Sequence, residues 1–179
     1  FYLYISTTNK LVKLSDVNPP FIEAEMCEMK PVSYKARDGF LINGYLTLPK
    51  GSSKKQLPVV VIPHGKLSAR NSWGYNAEVQ FLANRGYAVF QMNFRGSLGY
   101  GKSFWAAGFK QWGGRIQDDI TDGVKWLITE KIANPKRIAI YGASFGGYSA
   151  LHGLYFQPEL YNCGASYSGI TNLFTYLKS

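Results

Sequence analysis

Residues 137–154, RIAIYGASFGGYSALHGL, decide the fold of this chain. Ile138, Ala139, Ile140 and Tyr141 form a short unbroken apolar run, the pattern of a strand covered on both faces of a parallel sheet. Gly142, Ser144, Gly146 and Gly147 follow at the spacing G-x-S-x-G-G, and a helix-forming stretch follows them. A serine on so sharp a strand-to-helix corner needs strained dihedrals and small neighbours, which the glycines supply. Such a corner lifts the hydroxyl into the open and aims the first free N–H groups of the helix at any oxyanion formed there. Ser144 is therefore the candidate nucleophile. The bland alternative, a Gly-rich turn with an incidental serine, is disfavoured by the strand before it and the helix after it.

Working upstream, Tyr87 to Met92 and Val59 to Ile62 read as two further buried strands. Between them Asn71 or Ser72 is placed to cap a helix with apolar positions Tyr75, Val79 and Leu82, closed by Gly86. A longer helix carries Ile116, Ile120, Val124, Leu127 and Ile128 at helical spacing and stops before Pro135. From Val32 the pattern is a hairpin, VSYKA, the turn pair Asp38-Gly39, then FLINGYLTLP. Downstream of the elbow CGASYS reads as one more strand. Strands alternating with helices behind an antiparallel hairpin imply an α/β fold built on a mostly parallel sheet. At the start, FYLYIS, TTNK and LVKLS form a second hairpin, which is too small to stand alone and is expected to belong to a larger unit. The stretch VNPPFIEAEMCEMKP, with Pro19, Pro20 and Pro31, reads as a connector, which puts a domain boundary near residue 30.

One motif competes. Gly96 to Ser103, GSLGYGKS, fits the phosphate-loop pattern and follows a strand. A phosphate loop needs a sound helix starting at Lys102 and Ser103, yet Gly108 and then Gly113-Gly114 arrive within a few residues. The stretch is read instead as a Gly-rich surface loop, with no nucleotide. The 179 residues are 46% hydrophobic and 16% aromatic, enough for a packed core and inconsistent with disorder. The net charge of +9 comes from Lys and Arg scattered along the chain, a solvated basic surface more than a nucleic-acid stripe. Cys27 and Cys163 form neither a disulfide framework nor a metal-ligand spacing. No run has the length of a membrane span, and FYLYISTTNK lacks the regions of a signal peptide.

A nucleophilic serine needs a base and an acid. His152 lies eight residues beyond Ser144, about 12 Å along the same helix, and is directed elsewhere. His64, in IPHG at the end of a strand, would break the order serine, acid, histidine, and is read as shaping the loop that presents N–H groups to the oxyanion. After Ser144 the chain holds no aspartate, and its Glu159 follows His152 in the wrong order. The acid and the base are accordingly expected beyond residue 179.

Taken together, DGFLINGYLTLPKG, VVVIPHG, NFRGSLGYGKSFW, QWGG with DDITDGVKWL, and IAIYGASFGGYSA resemble the catalytic domain of prolyl-oligopeptidase-like serine peptidases, in the acylaminoacyl-peptidase and dipeptidyl-peptidase branches, over residues 30 to 175. The resemblance implies an α/β-hydrolase fold, incomplete on its C-terminal side, that acts on short peptides. Ser144 would be the nucleophile, the Phe145 N–H one oxyanion donor, and Gly65 or Lys66 the second. Many relatives read HGGP where this chain has His64-Gly65-Lys66-Leu67, and lysine adopts a positive backbone angle less easily than glycine. Residues 1–30 would be the end of a β-propeller-like unit and linker in the same parent chain, and 31–179 the first part of the catalytic domain. Asp118, Asp119 and Asp122 are read as a polar helix face and loop anchors. A peptide substrate, with an oligomer open, and no metal, cofactor, nucleic acid or membrane complete the expectation. A carboxylesterase of the same fold and a non-catalytic binding domain are the alternatives.

Overall fold

The structure is a computed structural model that describes residues 1–15, 22–53, 55–66 and 68–178. Val17–Phe21 of the connector, Lys54 and Leu67 therefore lie outside the described residues.

Eight strands and five α-helices are described. The first two strands, β1 (Tyr2–Ile5) and β2 (Lys10–Lys13), pair antiparallel as a separate hairpin. Among the described residues they join no other strand, and Tyr2, Leu3, Tyr4, Leu11 and Val12 are exposed. The remaining six form one sheet in the order β3 (Met29–Lys35), β4 (Leu41–Thr47), β6 (Ala88–Asn93), β5 (Leu57–Val61), β7 (Ala133–Ala143) and β8 (Cys163–Tyr167). The hairpin β3–β4 turns on Asp38-Gly39 and joins antiparallel to β6, while β6, β5, β7 and β8 run parallel. The hairpin, the parallel sheet and its flanking helices are thus as the sequence pattern leads one to expect.

Each central strand faces two cores, because successive side chains point to opposite faces. Val59, Val61, Ala88, Phe90 and Met92 point to one face, where the buried stripe Ile116, Ile120, Val124 and Leu127 of helix α3 (Arg115–Thr129) covers them. Val60, Ile62 and Val89 point to the other and meet Val79 and Ala83 of helix α1 (Ala77–Asn84). Cys27 and Met29 join this second core, and Cys27 exchanges two backbone hydrogen bonds of 2.8 Å with the Gln80 side chain. The packed unit thus reaches back to Cys27. Among the described residues strand β8 pairs only with β7 and is exposed throughout, which leaves its other edge bare there.

Three expectations need correction. Helix α1 is capped by Asn76, whose side chain accepts the Val79 N–H at 3.1 Å, and so begins after Tyr75. Asn71 instead ties its loop to strand β6, through its N–H to Asn93 Oδ1 at 2.7 Å and its side chain to the Met92 carbonyl at 3.0 Å. Second, β7 extends back across Pro135, because the pairing with β5 slips between Leu57 and Val59 and leaves residues 134–137 in an irregular segment where proline has no ladder bond to break. Third, the stretch after β6 is not simply a surface loop. Gly96 and Ser97 are buried, whereas Leu98, Gly99, Gly101, Lys102 and Ser103 are exposed.

Arg95 explains that burial. Its side chain is 3% exposed and reaches Asp119 on α3 at 2.7 Å and Asp38 in the β3–β4 turn at 2.8 Å. Asp119 is fully buried and so does not belong to a polar helix face, although it is the loop anchor its position suggested. Asp118 and Asp122 hold Arg37 at 2.7 and 2.8 Å, nearer the surface.

Candidate active site

Strand β7 delivers the chain to Ser144, and helix α4 (Phe145–Phe156) leaves it. Ser144 has φ 53° and ψ −116°, outside the conformations that a side-chain-bearing residue adopts cheaply. The surroundings explain how the strain persists. A Cβ on Gly142 would strike the backbone of Gly146, and one on Gly146 would strike the Pro63 carbonyl. A Cβ on Gly147 would come within 2.7 Å of Ser166 Oγ and 2.8 Å of Gly169 Cα. These glycines are required by close approach of neighbouring backbone. The Ser144 N–H donates to the Tyr167 carbonyl on β8 at 3.0 Å, and its carbonyl accepts the Tyr148 N–H at 3.0 Å, so the corner is hydrogen-bonded on both sides. The Ser144 side chain makes no capping bond to the helix and is exposed to solvent.

Behind the serine, Phe145 is buried among Phe94, Trp112 and Tyr148, with ring centroids 5.6, 4.7 and 5.7 Å away. Its N–H, the expected oxyanion donor, is not free: it donates to the Gly65 carbonyl at 3.2 Å. The loop 63–66 therefore lies over the mouth of the elbow, close enough that a Cβ on Gly65 would stand 2.9 Å from the Ala143 carbonyl and 3.8 Å from Ser144 Cβ. The carbonyl and the N–H of one trans peptide point in opposite directions, so the Lys66 N–H is turned away from the Phe145 amide. Rotation of the single peptide between Gly65 and Lys66 would free the first donor and turn the second inward.

His64 sits at the root of this loop, stacked on Phe94 with centroids 4.0 Å apart. Its Nδ1 is 2.7 Å from the Lys66 carbonyl and its Nε2 is 2.7 Å from Ser97 Oγ, so both ring nitrogens have partners other than Ser144. Burial lowers its pKa to about 4, which keeps the ring neutral near pH 7. His152 is likewise lowered by burial and lies between Tyr148 and Phe156 on α4, with a bond to the Gly113 backbone. Neither histidine is placed as the base for Ser144. The sequence reading missed Ser97, which lay hidden in a glycine-rich stretch; its signal would have been the preceding Arg95, whose charge requires buried partners.

The phosphate-loop pattern is also resolved into bonds. The N–H groups of Gly96, Ser97 and Leu98 donate to the carbonyls of Phe104, Phe94 and Ala69, each at 3.0 Å. The following helix α2 (Lys102–Ala106) has five residues. A phosphate cradle needs such amides unengaged. Among the described residues no group of three or more His, Cys, Asp or Glu side chains is placed to hold a metal ion, and no helix is long and apolar enough to cross a membrane.

The chain is similar to known proteins over nearly its whole length. Dipeptidyl aminopeptidase BIII of Pseudoxanthomonas mexicana is 38% identical over 186 residues, covering 100% of this chain and 27% of that protein. The acylaminoacyl peptidase of Pyrococcus horikoshii superposes with a TM-score of 0.79 at 28% identity, over 95% of this chain and 27% of that one. A puromycin-hydrolysing peptidase of Mycobacterium tuberculosis gives 0.82 at 26%, over 97% and 27%. The chain thus spans about a quarter of the length of the relatives it matches. The six-stranded sheet with its serine corner is an α/β-hydrolase fold. Residues 73–179, which include the corner and the helices around it, match the model of the prolyl oligopeptidase family, and the chain belongs to that family.

Proposed function

We propose that this chain is the nucleophile-bearing part of a longer serine peptidase that hydrolyses short peptides through an acyl-enzyme on Ser144. The observation that carries the reading is the exposed Ser144 at positive φ on the β7–α4 corner, held there by glycines that no larger residue can replace. Relatives named as a dipeptidyl aminopeptidase and an acylaminoacyl peptidase, each matched over about a quarter of its length, support both the chemistry and a longer parent chain. On this reading the hairpin at residues 1–15 closes a β-propeller-like unit and the connector leads out of it. The unit packed from Cys27 onward opens the catalytic domain, and the triad aspartate and histidine follow beyond Ser179.

The chemistry runs as acyl transfer. Ser144 Oγ attacks the scissile carbonyl carbon as its proton passes to the histidine supplied downstream. The carbonyl oxygen takes up negative charge and displaces the Gly65 carbonyl from the Phe145 N–H, and the turned peptide adds the Lys66 N–H as second donor. The intermediate collapses as the histidine returns the proton to the leaving amine, and water then repeats the sequence on the ester. No step calls for a metal or cofactor.

The test is hydrolysis by the full-length parent chain of aminoacyl and acyl-aminoacyl amides beside simple esters, with Ser144→Ala as control. Cleavage of the amides, lost in the alanine variant, is the expected result. Cleavage of esters alone would make the protein a carboxylesterase, and cleavage of neither would make it a non-catalytic domain.

A further inference from the structure

The loop that covers the elbow is tied through the His64 ring to a buried hydroxyl. Ser97 is fully buried, on the segment between β6 and α2, and its hydroxyl faces His64 Nε2. A carbonyl oxygen only accepts, so the contact between His64 Nδ1 and the Lys66 carbonyl puts the proton of a neutral ring on Nδ1. Nε2 is then an acceptor, and the proton facing it is that of Ser97. The Phe94 carbonyl, also 2.7 Å from Ser97 Oγ, competes for that proton, but it already accepts the Ser97 N–H at 3.0 Å and keeps a partner when the hydroxyl turns to the ring.

We infer that Ser97 is a positioning residue for the oxyanion loop: by donating to His64 Nε2 it fixes the ring proton on Nδ1, and so holds the Lys66 carbonyl on the far side of the peptide that must turn. The peptide between Gly65 and Lys66 then rotates between two fixed ends. At one end Pro63 is wedged against Gly146, and at the other the Lys66 carbonyl is hydrogen-bonded to the ring. Without Ser97 the proton is free to move to Nε2, the Lys66 carbonyl loses its donor, and the N–H groups no longer return to one geometry. The effect falls on the transition state, where the oxyanion is formed, and spares ground-state binding. Arg95 carries the constraint further, since its ion pairs with Asp38 and Asp119 seat the segment from which Ser97 projects.

This inference rests on the peptidase reading above, and its test is built so that the two fail separately. The full-length parent chain is compared with Ser97→Ala and with Ser97→Cys, which keeps the volume and weakens the donor. Active sites are counted with a phosphonate, and kcat per site, KM, and inhibition by a peptide aldehyde are measured. The aldehyde forms a tetrahedral adduct on the serine whose oxygen occupies the oxyanion position. The expected result is a fall in kcat of roughly 10- to 100-fold, less than the 10²–10³ that follows loss of an oxyanion donor itself, with aldehyde affinity falling in parallel and KM nearly unchanged. The ¹⁵N signals of the His64 ring move from the Nδ1–H towards the Nε2–H pattern. A purely structural role would lower the number of titrated sites and leave kcat per site alone, and that outcome overturns the inference. If Ser97→Ala does not fold, Ser97→Cys is read in its place by the same criteria. If the wild-type chain itself hydrolyses nothing, the peptidase reading fails, and an unchanged His64 ring pattern in the variants still overturns the hold of Ser97 on the ring.

Discussion

The Phe145 N–H donates to the Gly65 carbonyl at 3.2 Å, so the residue after Ser144 is hydrogen-bonded to the loop that lies over the elbow. Under the proposed mechanism a substrate carbonyl would have to take the place of the Gly65 oxygen on the Phe145 N–H. Gly65 is suited to this because its missing side chain lets the loop pass the Ala143 carbonyl, from which a Cβ would be 2.9 Å away. In the full-length protein Gly65→Ala is expected to lower kcat by about 10²–10³, the range for loss of one oxyanion donor, with KM little changed. Steady-state kinetics on a peptide amide, with circular dichroism to verify the fold, provide the check. An unaltered kcat would mean that this loop does not contribute to the site.

The two acid clusters on α3 should differ sharply in their weight. Asp119→Ala removes a buried partner of the buried Arg95 and is expected to cost about 3–5 kcal/mol of stability. Asp122→Ala releases Arg37, whose side chain is 49% exposed and which also pairs with Asp118, and is expected to cost about 1 kcal/mol or less. Denaturant midpoints of the two variants measure this directly, and equal losses would refute the ranking.

Acid should weaken the turn that carries Asp38. The Arg95 guanidinium holds the Asp38 carboxyl at about 2, below its ordinary 3.8. A carboxyl whose pKa is lower in the folded than in the unfolded state stabilises the fold above the unfolded value and loses that contribution as pH falls through the folded one. The Asp38 contribution is therefore intact above about pH 4 and fades towards pH 2. Asp119 behaves oppositely, because burial pushes its carboxyl up, and since both carboxylates share Arg95 the difference between wild type and Asp38→Asn reports the Asp38 part together with its coupling to Asp119. Urea unfolding of both proteins from pH 5 to pH 2 should show stability curves that converge as pH falls. Parallel curves would contradict the account.

Much of this was legible in the sequence because it follows from periodicity and close approach. The alternation of Val59, Val60 and Val61 between two cores, the stripe on α3, and the glycines around Ser144 are all consequences of local pattern. The errors arose where several residues compete for one role. Asn71, Ser72 and Asn76 are all good caps, and the choice fell to Asn76 because Asn71 satisfies the buried Asn93 and the end of β6. Glycine content pointed to an exposed loop after β6, whereas the ion pairs of Arg95 draw its first residues inward. The engagement of the Phe145 N–H could not be read at all, since it depends on which way one peptide plane faces.

The stretch GSLGYGKS is expected not to bind nucleotide, because the amides of Gly96, Ser97 and Leu98 are spent within the protein. Titration calorimetry with magnesium-ATP should show no saturable heat in the wild type. Binding that disappears in Lys102→Ala would overturn this.

Covalent labelling shows at once whether Ser144 is the nucleophile. The full-length protein is treated with a fluorophosphonate, digested, and mapped by mass spectrometry, with Ser144→Ala in parallel. One adduct on the peptide bearing Ser144, absent from the alanine variant along with all amide hydrolysis, is the predicted result. Labelling that persists in Ser144→Ala, on Ser149, Ser168 or any other residue, would contradict it.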